Sequence, residues 1–380
     1  MANILTDLAA DIYKGADIVA RELTGFIPSV TINGDESERV ALNDVVRSHF
    51  TREPTLNTSY SPSMTIPEGD DQTVDNKTLT IDKVANVRIP WTGEDIKHVN
   101  NGSGFETIQG DQFMQAMRKI VNQIETDVAT EVYKNASRSV GAPGTTPFAS
   151  NFDVVADIRK TLVDNGMPTD GNATLVIDTA AGAKLRNLAQ LQKANEAGGD
   201  NLLRQGTLLD LQGLMLKESA GVVAHTKGTG TSYQTDAALT AGTTTITLDT
   251  GSGTIVAGDI IAFAGDDNEY VVVTAFAGGE LQIAAPGLIN AVADNTAVTV
   301  KDNRTANAAF HRNAVELVAR APEQPLGGDA AVDRLTIQDP FSGLIFEIAV
   351  YKGYNKAMFD ITTLYGVKAW KPEFIASLAG

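Results

Sequence analysis

From about Gln109 to Ala136 the apolar residues recur at three- and four-residue intervals for longer than anywhere else in this sequence. Phe113, Met117, Ile120, Val121, Ile124, Val128 and Val132 share one stripe, while Arg118, Lys119, Asn122, Glu125, Asp127 and Glu131 take the other faces. The spacing predicts one amphipathic helix starting near Gly110-Asp111 and ending before the turn formers of Ser137 to Gly144. At 1.5 Å per residue its roughly 25 residues span about 38 Å, twice the usual globular helix. No second helix of similar length is available to pair with it, so a strut laid against a sheet is favoured over a bundle or a coiled coil.

The 380 residues allow two or three domains with real cores. Cysteine is absent, which excludes disulfides and thiolate metal sites. The start Met1-Ala2-Asn3-Ile4 lacks the basic-then-apolar run of a signal peptide, and no stretch approaches the roughly 18 apolar residues of a membrane span, so a soluble cytoplasmic product without a membrane partner is expected. The formal net charge of −17 repels phosphate backbones and, with no Lys/Arg cluster, argues against a nucleic-acid interface. Copies of the chain also repel one another, so salt should favour assembly.

Residues 3 to 23 read as an amphipathic helix stopped by Gly25 and Pro28. Tyr60 to Ile66 and Thr78 to Ile89 read as the arms of a long polar hairpin with an acidic tip holding Glu68, Asp70, Asp71 and Asp75, too poor in large apolar residues to stand alone. A second helix, capped by Ser150 or Asn151, runs through Asn165 with Phe152, Val155, Ile158, Leu162 and Val163 inward. Then come a strand at Thr174 to Ile177, a helix from Thr179 to Leu191, and a strand pair from Leu202 to Glu218 turning at Gln205-Gly206 and Gln212-Gly213. This order predicts an α+β body, a sheet backed by helices.

Between about Lys227 and Asp302 five short β runs alternate with glycines: Thr243 to Leu248, Ile260 to Ala264, Tyr270 to Thr274, Leu281 to Ile283 and Ala297 to Val300. They predict a small inserted β-barrel or sandwich whose two ends lie together, with a core of Ile246, Leu248, Ile260, Ile261, Phe263, Val271, Val273, Leu281 and Ile283. The chain then resumes its α+β character from Ala308 to Arg320. It closes with β runs at Leu335 to Gln338, Leu344 to Tyr351, Ala357 to Thr362 and Val367 to Trp370.

Little here suggests catalysis. His49, His98, His225 and His311 are scattered without a second ligand at helical or turn spacing. Gly228-Thr229-Gly230 and Gly251-Ser252-Gly253 lack the third glycine and the strand-helix context of a nucleotide loop. Asp266-Asp267-Asn268-Glu269 lacks the spacing of a calcium loop and reads as a solvated hairpin tip. There is no Ser-His-Asp elbow, so neither an enzyme nor a cofactor or metal site is expected.

The succession of arm, extended loop, strut helix, α+β body and β-rich return resembles the major capsid proteins of tailed bacteriophages with the Hong Kong 97-type fold. The residues that carry the resemblance are Thr65-Ile66-Pro67 and Arg88-Ile89-Pro90 in the extended loop, and Ala308-Ala309-Phe310-His311-Arg312-Asn313-Ala314-Val315 after the insertion. Asp360, Leu364-Tyr365-Gly366-Val367 and Lys371-Pro372-Glu373 match near the end. The inserted β-domain makes the chain similar to the coat proteins of short-tailed Salmonella phages. The resemblance implies an N-terminal arm (1–50), an E-loop (51–92) and a P-domain (93–169) around the spine helix 109–136. It further implies an A-domain in two parts (170–227 and 303–335), the inserted domain (228–302) between them, and a β-rich return (336–380).

It also implies a homo-oligomer of pentamers and hexamers in an icosahedral shell that encloses packaged DNA without reading its sequence. A portal protein, a separate scaffolding protein and a decoration protein are the implied partners, the separate scaffold because no scaffolding segment precedes the arm. Glu68, Asp70, Asp71 and Asp75, and Asp266, Asp267 and Glu269 on the inserted domain, are then the expected contacts with neighbouring subunits. An encapsulin-type nanocompartment shares the fold and is the alternative. A secreted adhesin or surface-layer protein suits the Gly/Thr-rich segment but not the N-terminus.

Overall fold

The computed structural model describes residues 24–51, 56, 58, 61–66, 74–99, 105–188, 210–339 and 342–380. The predicted helix at 3 to 23 lies outside them, as do Glu68, Asp70 and Asp71.

The spine helix is Phe105–Lys134, 30 residues, or about 45 Å at 1.5 Å per residue. It begins four residues before Gln109 because Ile108 still packs on the core and extends the stripe upstream through Gly110. A helical glycine costs about 1 kcal/mol relative to alanine, and the packing on either side outweighs it. The seven stripe residues from Phe113 to Val132 are all buried. Glu125, placed on a polar face by the periodicity, is buried as well, at 2% exposure. Its carboxylate binds groups that arrive from elsewhere in the chain, and helical spacing carries no information about them.

One side of the helix lies on a six-stranded sheet built on Lys356–Ala369, a single strand where two pieces were predicted. Its first ten residues pair with Lys83–Thr92, from Lys356↔Thr92 to Tyr365↔Lys83. On its opposite edge Ile345–Gly353, followed by Ala331–Gln338, pairs with residues 356–362, and Val315–Pro322, followed by the parallel strand Thr31–Val40, pairs with residues 364–369. Phe113 meets Phe359 edge-on at 5.3 Å between ring centroids, and the Tyr365 hydroxyl donates to Asp127 at 2.6 Å.

The predicted hairpin is corrected by this sheet. Lys83–Thr92 is a body strand, with Ala85, Ile89 and Trp91 buried against the spine core. The extended ribbon is instead Val45–Thr51 paired with Val74–Thr80, from Val45↔Thr80 to Thr51↔Val74, and residues 61–66 carry no strand. Ile81 breaks the alternation between ribbon and sheet by turning inward, where it packs with Val40, Leu79, Val318 and Leu364. Gly366 lets the ribbon base pass, since a Cβ there would stand 2.4 Å from the Thr80 carbonyl oxygen.

The other side of the helix faces a second sheet, in which Arg138–Val140, Ile375–Ala379, Arg304–His311, Ala173–Ile177 and Met215–Glu218 lie in that order. Arg138–Val140 was expected to be turn. Arg304–His311, Val315–Pro322 and Ile375–Ala379 were not foreseen as strands, because Ala306, Ala308, Ala309 and Ala376 lack the β-branched signature and are buried. The helix Asp153–Asp164 backs this sheet through Val155, Ile158 and Leu162. It starts at Phe152 with no side-chain cap, so neither Ser150 nor Asn151 caps it, and Val163 points out at 41% exposure. The next helix, Thr179–Arg186, is capped by Asp178, whose carboxylate accepts from the Ala180 and Ala181 amides, and it stops short of Leu191. Gln212-Gly213 makes the predicted turn with positive φ at both residues; Gln205-Gly206 lies outside the described residues.

The inserted segment is a closed antiparallel barrel of six strands. Ile260–Phe263, Ala297–Val300, Tyr233–Thr235, Thr245–Asp249, Glu280–Ile283 and Glu269–Ala277 follow one another round the ring, and the last pairs back to the first. Tyr233–Thr235 was missed in the sequence. Ile246, Leu248, Ile261, Phe263, Leu281 and Ile283 fill the barrel as expected, together with Tyr233, Tyr270, Val272 and Val298. Ile260 and Val271, which pair with each other, belong instead to the spine-helix core, and Val273 is half-buried. With a strand period of two, the residues beside Ile261 and Tyr270 must leave on the other face. Lys227 and Asp302 form an ion pair of 2.6 Å where the segment leaves and re-enters the body.

Candidate assembly surfaces

On the ribbon side, Met64 is fully exposed, Ile66 is 89% exposed and Leu56 83%, and none of the three lies in a strand. Of the four tip carboxylates only Asp75 has a described backbone, opposite Phe50 in the ribbon. At the ribbon base Lys77 donates to the Trp370 carbonyl oxygen at 3.3 Å and stands 5.6 Å from the centre of its ring.

A groove of about 300 Å³ crosses the six-stranded sheet, with Val84, Leu364, Pro322 and Pro325 as apolar walls and Arg88 and Asp360 at the polar end. Its rim is the turn that follows Val315–Pro322, tied down by Arg334. One guanidinium nitrogen meets Glu347 at 2.6 Å and another binds Asp329, which also accepts from the Tyr351 hydroxyl at 2.8 Å. The hydrogen bond from Arg334, with those from the Ala331 amide and Tyr351, lowers the Asp329 carboxyl to about 2. Asp360 accepts from Asn86 at 2.6 Å and faces Arg88 at 3.4 Å. Leu326, at the crest of the rim, is fully exposed. Sequence reasoning missed this groove, since its residues come from five separate strands and share no local motif.

The inserted-domain carboxylates divide. Asp266 is an internal staple: it accepts from the Asn268 amide at 3.1 Å and side chain at 2.7 Å, from Tyr270 at 2.8 Å and from Asn290 at 3.0 Å. Burial opposes its ionisation, and these hydrogen bonds outweigh burial and lower its pKa. Glu269 is held by Lys301 at 2.7 Å. Asp267 alone of the three is exposed.

Two of the four histidines are buried structural partners. His225 Nε2 lies 2.8 Å from Asp259, and His311 Nε2 lies 2.9 Å from Asp170. Arg138 reaches from the body into the barrel, donating to Asn268 at 3.1 Å and to the Thr161 carbonyl oxygen at 3.0 Å. Its strand pairs with the barrel at Tyr270↔Arg138 and Glu269↔Ser139, so barrel and body share one continuous sheet.

Two exposed apolar features and a groove on one sheet face are what a subunit of a larger assembly presents. The fold is shared with a solved structure from Mycobacterium phage Che8, at 16% identity and a TM-score of 0.50 over 93% of this chain and 90% of that one. It is shared equally with the capsid structure of the cyanophage P-SCSP1u, at 12% identity and a TM-score of 0.52 over 94% and 88%. No curated protein sequence matches the chain. The family model described as P22 coat protein, gene protein 5, matches residues 62–279, more than half of the sequence. With the Hong Kong 97-type α+β fold in place, the chain belongs to the P22 coat protein family and is a major capsid protein of a tailed phage head.

Proposed function

We propose that copies of this chain assemble as pentamers and hexamers into an icosahedral head shell, with the stretch 61–66 of one subunit seated in the sheet groove of the next. The observation that carries this reading is the presence within one chain of a solvent-exposed apolar segment, Met64 and Ile66, and a groove walled by Val84, Leu364, Pro322 and Pro325. Both side chains are exposed on their own subunit, and a repeated shell supplies the second surface. Electron microscopy of the purified chain tests it. Closed shells are expected from the wild type and open or no assemblies from Met64→Asp with Ile66→Asp, the monomer keeping its circular dichroism; normal shells from that variant refute the seating.

Packaged double-stranded DNA is the cargo this reading implies, enclosed without base-specific contacts, and the net charge of −17, which repels phosphate backbones, supports that reading. A portal protein, a separate scaffolding protein and a decoration protein are proposed as partners on family grounds, with synthesis in the host cytoplasm before incorporation in the virion. The inserted barrel is placed on the outside of the shell, where free volume exists, with Asp267 at its exposed tip facing neighbours.

A further inference from the structure

Beneath the C-terminal end of the spine helix the sheet carries polar side chains that do not match the core around them. Glu269 pairs with Ser139, Ser139 with Ser377 and Ser377 with Ala308 in four adjoining strands, so these side chains leave the sheet on one face. Ala308 packs in the spine-helix core, which makes that face the helix side. Arg304, four residues before Ala308 on the same strand, shares the face, and its guanidinium stands 5.9 Å from the ring centre of Tyr133 in the last turn of the helix.

Four atoms of this group are buried without a hydrogen-bond partner: Oγ of Ser139, Oγ of Ser377, Oε2 of Glu269 and Nε of Arg304. Arg304 is 3% exposed, and one of its nitrogens donates to the Gly258 carbonyl oxygen at 2.5 Å. Among the described residues no carboxylate lies within ion-pair distance of it. Burial lowers its pKa to about 10, and Tyr133, Asp259 and Glu269 oppose the shift, so both carboxylates are within electrostatic reach. Asp259 has no oxygen to spare, because His225, Gly228 and Val256 occupy both. Glu269 has one, since Lys301 holds only Oε1. A buried cation without a carboxylate and a buried carboxylate oxygen without a donor are each unfavourable, and the two costs cancel when they meet.

We propose that the joint between barrel and body has a second seating, in which Arg304 Nε closes on Glu269 Oε2 as its hold on the Gly258 carbonyl is released. Arg304 belongs to the body and both of its alternative partners to the barrel, so the exchange tilts the barrel on the strand Arg138–Val140. Gly258 is what admits the present seating: its φ is +97°, and a Cβ there would lie 2.7 Å from Tyr133 and 3.0 Å from His225. The second seating is the minor one in the free subunit and becomes the major one in the assembled shell, where neighbouring barrels bear on one another, and this last step rests on the proposed assembly.

The chain has no cysteine, so paired spin labels at Asp267→Cys on the barrel and Lys160→Cys on the body helix report the tilt directly. The expected result is a change of about 2 Å or more in their separation between free subunits and shells, the scale of discrete shifts between packed elements. Glu269→Gln should abolish the change, and an unchanged wild-type distance overturns the proposal whether or not that variant assembles. If the wild type forms no shells, the assembly reading fails by itself. The joint is then decided in the free chain, where a second seating gives a second population of distances and a single narrow peak refutes it.

Discussion

Glu125, at the middle of the spine helix, accepts a hydrogen bond of 2.6 Å from the amide of Gly25, a hundred residues earlier in the chain. The same carboxylate takes the amides of Phe26 and Ile27 at 2.8 and 2.9 Å and the Ser219 hydroxyl at 2.6 Å. It therefore caps the short 3-10 turn Ile27–Ser29 and pins the segment entering the body to the helix. Glu125→Ala leaves three buried amides without an acceptor and should cost about 3 kcal/mol or more, against about 2 kcal/mol for Glu125→Gln, which keeps one acceptor. Urea unfolding of the free subunit measures both.

Acid should loosen the groove rim late. Asp329 ionises at about 2 in the folded chain against an ordinary 3.8, so its contribution is complete above the ordinary value and fades as pH falls through about 2. Hydrogen exchange in residues 323–330 should hold down to about pH 4 and rise below it. In Asp329→Asn the exchange should be raised already at neutral pH and show no such step.

Charge reversal at the ribbon tip should block assembly without unfolding the subunit. Asp70→Lys with Asp71→Lys removes two of four clustered carboxylates, whose pairing with a neighbour is weak in one copy and repeated throughout a shell. Sedimentation should then show subunits only, with circular dichroism unchanged.

No covalent mesh should link the subunits. Lys83 is engaged by Asp127 at 3.2 Å and Lys77 by the Trp370 carbonyl oxygen, while Asn355, a side-chain amide that could accept a lysine in an isopeptide bond, closes the turn between Ile345–Gly353 and Lys356–Ala369. On a denaturing gel of mature particles this chain should run as a monomer band at 40.2 kDa, and a ladder of its multimers would contradict this.

What the sequence disclosed follows from the range of the signals. The spine helix and the barrel strands are written in local periodicity, and Phe113 to Val132 and Ile246 to Val298 were legible for that reason. Glu125 was misplaced because its partners lie near Gly25 and Ser219, and a buried carboxylate looks like a solvated one in a helical pattern. The ribbon slipped from 60–66 to 45–51 because strand register is decided by partners far away: Ile81 and Gly366 break the arm where it meets the body. The groove was invisible for the same reason, being assembled from Val84, Pro322, Arg334 and Leu364 only after the sheet has formed.

The ring closure of the inserted barrel bears on crowding. Its strands use their backbone groups on both sides, so the ring itself offers no unpaired strand to template growth with a copy alongside. Nine carboxylates against one lysine between 228 and 302 add repulsion at close range. Barrels repeated many times at close spacing can thus stand side by side without joining into a common sheet, and contact between them is left to side chains, which salt and sequence can tune.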